Sequence, residues 1–188
     1  MPQFTTRALA AATATIALAL GASACSALDS APQGEVEATP AALSSPGALC
    51  DLGSCEAATV DRVIDGDTLD VATDTGEIQR VRVLGIDTPE TVHPDKPVEC
   101  MGSEASATAT ELASAGTSVT LITDDRADNV DDYDRQLAHV VIDDTNLGAT
   151  MLERGLAETT SFPHSLADDY AAVEDQARET AAGLWGQC

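Results

Sequence analysis

Five strand-like runs occur along this chain, with a helical run between the third and fourth and two more after the fifth. The strand-like runs are Ala58–Ile64, Thr68–Ala72, Ile78–Ile86, Ser118–Thr123 and Gln136–Ile142, each short and bounded by turn-forming residues. Ser103–Ala115, Asn146–Glu158 and Ser165–Ala182 read as helices; Glu104 lies in the first turn of the first, and Gly116 stops it. Strands in series with helices mostly after them predict a small α+β domain. In the third run Val81 and Val83 alternate with Arg80 and Arg82, which puts both guanidiniums on the polar face. Ile78 and Gln79 break that parity.

The domain occupies about residues 50–188, because the chain before it reads as an address and a tether. Arg7 is the lone charge before an apolar run, Ala8–Leu20, and small residues come next in Gly21-Ala22-Ser23-Ala24-Cys25. A charged start, an apolar stretch and a small-residue cleavage site make a secretory signal over residues 1–24. The apolar run is short for a membrane span, which takes about 20 residues. Ala22-Ser23-Ala24-Cys25 resembles a bacterial lipobox, with Ala where Leu is usual, although Ala-Ser-Ala also satisfies ordinary signal cleavage. The chain has five cysteines, and exported proteins favour paired thiols. Lipidation of Cys25 leaves an even number, so a lipid anchor at Cys25 is expected. Residues 25–49, dominated by Ser, Ala, Pro, Glu and Gly, then form a flexible acidic tether. The expected location is outside the cell, on the outer membrane face or secreted.

Charge sets a further limit. The chain has 188 residues with 9 Lys+Arg against 32 Asp+Glu, a formal charge of −23. Lys96 supplies the sole side-chain ammonium; every other cation is Arg. That excludes a basic coat tracking a nucleic-acid backbone. The acidity otherwise fits solubility or tolerance of salt.

Three clusters carry chemistry. Asp65-Gly66-Asp67-Thr68 is a tight turn presenting two carboxylates, a seat for a hard cation that wants oxygen ligands. Asp87-Thr88-Pro89-Glu90-Thr91 lies just beyond the run that carries Arg82. Arg82 and Asp87 are separated by an odd offset, which on a regular strand places them on opposite faces. Leu84-Gly85-Ile86 must bend for them to converge, and Gly85 permits it. Tyr133-Asp134-Arg135 offers a permanently charged guanidinium suited to phosphate. Each cluster alone has an ordinary explanation: a hairpin turn, a loop of solvated charges, an Arg bonded to Asp128, Asp131 or Asp132.

Together they resemble the staphylococcal nuclease (thermonuclease) family. The residues that carry the resemblance are Ile64-Asp65-Gly66-Asp67-Thr68, Arg82 with Asp87-Thr88-Pro89-Glu90-Thr91, His93-Pro94, Val98-Glu99, Glu104-Ala105-Ser106-Ala107, Asp132-Tyr133-Asp134-Arg135, Arg154-Gly155-Leu156-Ala157 and Gly183-Leu184-Trp185. They stand in family order and cover about residues 57–185. The resemblance implies a five-stranded OB-fold barrel with three helices, and Ca²⁺-dependent hydrolysis of DNA and RNA phosphodiesters by a monomer. It also implies roles: Asp67, Asp87 and the Thr88 carbonyl as calcium ligands, Asp65 reaching the ion through water, and Glu90 aligning or deprotonating the attacking water. Arg82 and Arg135 would hold phosphate, and Tyr133 would line the nucleotide pocket. Calcium suits these residues better than zinc, because no His or Cys cluster accompanies their oxygens. His93, His139 and His164 are scattered and read as ordinary surface or core histidines.

The chain departs from the family pattern in places. Asp134 stands where Gly is usual before Arg135. The family's tyrosine pair has no clear counterpart after Ala157, where Phe162 is offered instead. By position Cys100 is expected to pair with Cys188 and Cys50 with Cys55, one of three possible connectivities. The alternative to an enzyme is a catalytically silent OB-type module that binds nucleic acid or protein. Such a module would be expected to have lost one of Asp67, Asp87, Glu90, Arg82 or Arg135, and this chain keeps them all.

Overall fold

Side-chain alternation shapes the first strand. In β1 (Cys55–Val63) Ala58 and Val60 are buried while Thr59 and Asp61 face solvent, the period of two that a half-covered strand requires. The structure is a computed structural model that describes residue 43, residues 46–91 and residues 97–188. The signal-like run, Cys25 and His93 lie outside the described residues. A helical turn, α1 (Pro46–Leu49), comes before β1. After β1 come β2 (Thr68–Ala72), β3 (Ile78–Val83), β4 (Ile86–Asp87), α2 (Gly102–Leu112), β5 (Ser118–Ile122), β6 (Gln136–Ile142) and β7 (Thr145–Asn146). The remaining elements are α3 (Leu147–Glu153), β8 (Glu158–Thr159), α4 (Ala167–Glu179) and α5 (Leu184–Gln187).

β1 pairs antiparallel with β2 and with β5, β2 with β3, and β5 with β6. A parallel pairing of β3 with β6, Val81 opposite Gln136 and Val83 opposite Ala138, closes the ring. The result is the five-stranded mixed barrel with helices expected from the sequence. Closure satisfies the backbone groups that an open sheet would leave at its edges. A bulge in β1 between Val60 and Arg62 adds local twist. The interior is filled by Val60, Leu69, Val71, Val81, Val83, Leu121 and Val140, each buried. Burying such side chains stabilises by about 1.5–3 kcal/mol apiece before chain entropy is counted.

Two expected elements end differently. The third strand stops at Val83, because Leu84-Gly85 forms a turn with Gly85 at φ +85°, and the chain resumes as β4. The helix expected over Asn146–Glu158 runs from Leu147 to Glu153. Asn146 caps it by accepting from Ala149 N–H at 3.1 Å. Gly155, at φ +62°, then reverses the chain; a Cβ there would collide with the Ala182 carbonyl. Glu158 and Thr159 are therefore free to form β8, which pairs with β4. The packed region also begins before residue 50: Leu43 and Leu49 are buried in the core, and Asn146 Nδ2 donates to the Leu43 carbonyl.

Cys50 bonds Cys55 at the head of β1, and Cys100 bonds Cys188, tying the start of α2 to the segment after α5. The second bridge spans 88 residues of chain, so it restricts the unfolded ensemble most. Replacing Cys100 and Cys188 together by Ser is expected to lower unfolding free energy by about 2–5 kcal/mol, read from the denaturant midpoint. Replacing Cys50 and Cys55, which close a five-residue separation, is expected to cost less.

Candidate active site

The turn between β1 and β2 is built to meet another loop. Ile64 and Asp65 N–H both donate to the Thr68 carbonyl, and Asp65 Oδ1 accepts from Asp67 N–H at 3.1 Å. Gly66 admits the neighbour: a Cβ there would stand 2.8 Å from Thr88 Oγ1. Thr88 then donates both its N–H (2.7 Å) and its hydroxyl (2.8 Å) to Asp67 Oδ2. Thr68 Oγ1 donates to Asp67 Oδ1, and Arg82 Nε lies 3.2 Å from the same atom. The buried Asp67 carboxylate is thus held on both oxygens.

The bend at Gly85 does for Arg82 what its sequence offset requires. Arg82 Nη1 donates to the Ile86 carbonyl at 2.7 Å, and Nη2 to Asp87 Oδ1 at 2.6 Å. The Asp87 side chain is otherwise open to solvent. Glu90 comes three residues later; its N–H donates to Glu99 Oε2 and its own Oε1 accepts from Thr91 N–H. Sequence alone assigns Glu99 no role, because an acid beyond a proline-rich stretch carries no signal of this contact.

Arg135 comes from the opposite side. Asp134 takes φ +60°, the left-handed conformation that explains why Gly is usual there and that Asp tolerates better than most residues. Asp131 grips the turn that leads to Arg135: Oδ1 accepts from the N–H groups of Tyr133 and Arg135, and Oδ2 from Arg135 Nε at 2.6 Å. Burial opposes the Asp131 charge, but these donors hold its carboxyl below the usual range. With Nε engaged, the two Nη groups of Arg135 are aimed by a fixed plane. Its guanidinium also lies 5.2 Å from the centre of the Tyr133 ring, which is 81% exposed.

One open cavity of about 310 Å³ collects these groups: Asp65, Asp67, Arg82, Asp87, Thr88, Pro89, Glu90, Tyr133 and Arg135 all line it. All eight residues to which the sequence assigns a role in metal binding, catalysis or nucleotide binding are among them. Crowding perturbs the acids. Burial, with the Asp67 charge beside it, pushes Asp65 up to about 6. Asp87, though largely exposed, is also raised, by partial desolvation against its neighbours and by the charges of Asp67, Glu99 and Glu90, with Arg82 opposing. Close carboxylates that raise one another's proton affinity, with no His or Cys among the described residues of the wall, fit a hard divalent cation. An adjoining cavity of about 480 Å³ shares Arg82, Tyr133 and Arg135 and adds apolar wall from Leu84, Val130 and Phe162.

Among the described residues a second group of potential ligands lies elsewhere: Asp124, His139 and His164, all buried, with ligand atoms within 4.8 Å of one another. In sequence both histidines look ordinary, because the three residues share no motif spacing and meet only through β6 and the segment before α4.

Barrel and cavity define a nuclease-type OB domain. The chain matches the family described as Staphylococcal nuclease homologue over residues 80–187, and it belongs to that family. It is 37% identical over 126 residues to the thermonuclease of Staphylococcus intermedius, an alignment covering 67% of this chain and 71% of that one. It is 34% identical over 132 residues to endonuclease YncB of Bacillus subtilis, covering 69% and 61%. It is 35% identical over 132 residues to the SPbeta prophage-derived endonuclease YokF of the same organism, covering 69% and 44%. The alignments thus span less than two thirds of the two Bacillus endonucleases.

The raised Asp65 carboxyl makes a signed prediction. Asp65 binds its proton more tightly folded (about 6) than at the ordinary value of 3.8, so its ionisation opposes folding. The opposition is absent below about pH 4 and complete above about pH 7. In chelator, Asp65→Asn is expected to melt higher than the parent at pH 8 and no higher at pH 4. Equal differences at both pH values would remove the electrostatic cause.

Proposed function

We propose that this protein is an exported, calcium-dependent nuclease that hydrolyses phosphodiester bonds of DNA and RNA. The observation that carries the reading is the convergence of two guanidiniums and four carboxylates, from four separate segments, on one open cavity. A phosphodiester is anionic and repels an incoming hydroxide, so its hydrolysis needs positive charge on the phosphate and a base beside the water. Arg82 and Arg135 present planar paired donors to the phosphate oxygens, where charge grows in the five-coordinate state. Glu90, steadied by Thr91 and braced through its backbone by Glu99, aligns the water or accepts its proton. Asp67, Asp87 and the Thr88 carbonyl would hold Ca²⁺, with Asp65 acting through water; the ion supplies charge neutralisation at a phosphate oxygen and lowers the pKa of bound water. Tyr133 and Phe162 give the adjoining cavity aromatic surface for a base.

Export is supported by the signal-like run and by two disulfides, which persist in oxidising surroundings. Lipidation at Cys25 would place the domain on the outer membrane face, acting as a monomer. No helix of the described residues is long and apolar enough to cross a membrane. Mass spectrometry of the N-terminal peptide from the native host is expected to find a diacylglyceryl Cys25, and Cys25→Ala to release the protein from membranes.

Plasmid and RNA digestion with Ca²⁺, and with EGTA, tests the activity. Cleavage is expected with Ca²⁺ alone; binding of nucleic acid without cleavage would instead make this a silent OB-type module. Glu90→Gln and Arg82→Lys are each expected to lower kcat about 10²–10³-fold. The charge of −23 should slow encounter with a polyanion. At about 0.15 M salt the Debye length falls to about 8 Å, so distant acids are screened from a phosphate held in the cavity. Activity at saturating Ca²⁺ is therefore expected to rise with moderate salt before it falls; steady inhibition from the lowest salt would refute this.

A further inference from the structure

A second polar cluster lies buried under β6, and its proton count does not close. Asn146 Oδ1 accepts from Ala149 N–H while its Nδ2 donates to the Leu43 carbonyl, so the amide orientation is fixed. Tyr170 therefore donates its hydroxyl proton to Asn146 Oδ1 at 3.0 Å. The Tyr170 oxygen, 3.2 Å from His139 Nδ1, is left to accept, so His139 carries its proton on Nδ1. In the neutral ring Nε2 is then a bare lone pair. It points at Asp124 Oδ2, 3.4 Å away, with both side chains wholly buried. Two acceptors facing each other out of water repel unless a positive charge sits between them.

The third member is His164. It is 1% exposed, and among the described residues neither ring nitrogen has a hydrogen-bond partner. An orphaned buried donor or acceptor is costly, and an unseen ion is one of the few reasons a folded protein keeps one. Its ring stands 5.6 Å from that of His139 and 5.3 Å from that of Tyr170. A neutral imidazole there keeps a lone pair free for an ion. Asp124 is held by donors on both oxygens: Ser165 N–H on Oδ2, and the Ser165 hydroxyl and Arg126 N–H on Oδ1.

We propose that Asp124 Oδ2, His139 Nε2 and a ring nitrogen of His164 bind a divalent transition-metal ion, Zn²⁺ by preference. Two imidazoles and one carboxylate are a borderline-soft donor set, unlike the all-oxygen catalytic cavity, so the two sites select different ions. Bonds of about 2.0–2.1 Å set neighbouring tetrahedral ligands about 3.4 Å apart, which is the separation Asp124 and His139 already have. His164 closes the rest by rotating, with no hydrogen bond to lose. The Tyr170–Asn146 pair is the outer support that metal-binding histidines ordinarily have, fixing the tautomer through Nδ1. The site would tie the loop after β5 to β6 and to the segment before α4. His164 also packs on Gly85, where a Cβ would come within 2.6 Å of its ring, so the ion would brace the bend that aims Arg82.

The test is metal binding by the purified, disulfide-bonded protein, stripped with chelator and held in millimolar Ca²⁺ to fill the catalytic cavity. One Zn²⁺ or Co²⁺ per chain is expected, with Co²⁺ giving intense visible bands of low coordination number, and the unfolding midpoint rising with Zn²⁺. Tyr170→Phe should weaken binding about 10–100-fold, and His164→Leu by at least as much. His164→Leu gives up no hydrogen bond, so it should fold, and circular dichroism checks this. No uptake by the parent, or undiminished uptake by a folded His164→Leu, overturns the proposal. So does metal-free protein whose nitrogen NMR spectrum shows protons on both ring nitrogens of His139 at pH 7, since a proton then does the ion's work.

Discussion

The contact on which the catalytic cavity depends is the double hydrogen bond from Thr88 to Asp67. These residues stand 21 apart in sequence, on a hairpin turn and on a loop beyond the next strand. The bond brings two acid-bearing segments together at the point where their charges oppose the approach. Thr88 supplies a backbone and a hydroxyl donor to one oxygen, Thr68 supplies another to the second, and Arg82 adds a guanidinium alongside. Charge-assisted donors of this kind are about twice as strong as neutral ones. They hold both Asp67 oxygens, while Asp65 and Asp87, less well supplied, have their proton affinity raised. The cavity is left with negative charge its own donors do not neutralise, which is what a cation site needs.

Barrel closure supplies the frame for that contact. The parallel pairing of β3 with β6 sets Arg82 opposite Leu137 and brings the strand that leads to Asp87 beside the one that begins after Arg135. Arginines from distant parts of the chain are thereby brought to one cavity. The short pairing of β4 with β8 fixes the exit from the Gly85 bend, and Thr160 N–H donating to the Gly85 carbonyl holds the turn itself. His164 of the buried cluster packs on Gly85 at that same bend.

Much of this was legible in the residues. Alternation in Arg80–Val83 marks an inward face, because one side of that strand meets the core and the other meets water. The odd offset between Arg82 and Asp87 demanded a bend, and Gly85 was the residue able to make it. Local patterns failed where tertiary pairing overrode them. Residues 154–158 continue a helical pattern, yet Gly155 packs against Ala182 and the next residues become strand, because β4 needs a partner. Leu43 and Leu49 read as tether, because two isolated apolar residues show no periodicity; only the folded core buries them. His139 and His164 looked ordinary for the same reason: the atoms that give them meaning are contributed by other elements.

The sequence by itself determined the order of elements, the residue types of the cavity, the excess of negative charge and the family, since these are properties of composition, spacing and local preference. Tertiary structure decided which acids share a pocket, which carry raised proton affinities, how each arginine is aimed, and that one histidine is sealed away without a partner. Those are properties of distance and desolvation. Electrostatic energies change steeply over a few ångströms and with access to water, and neither quantity exists until the chain has closed on itself.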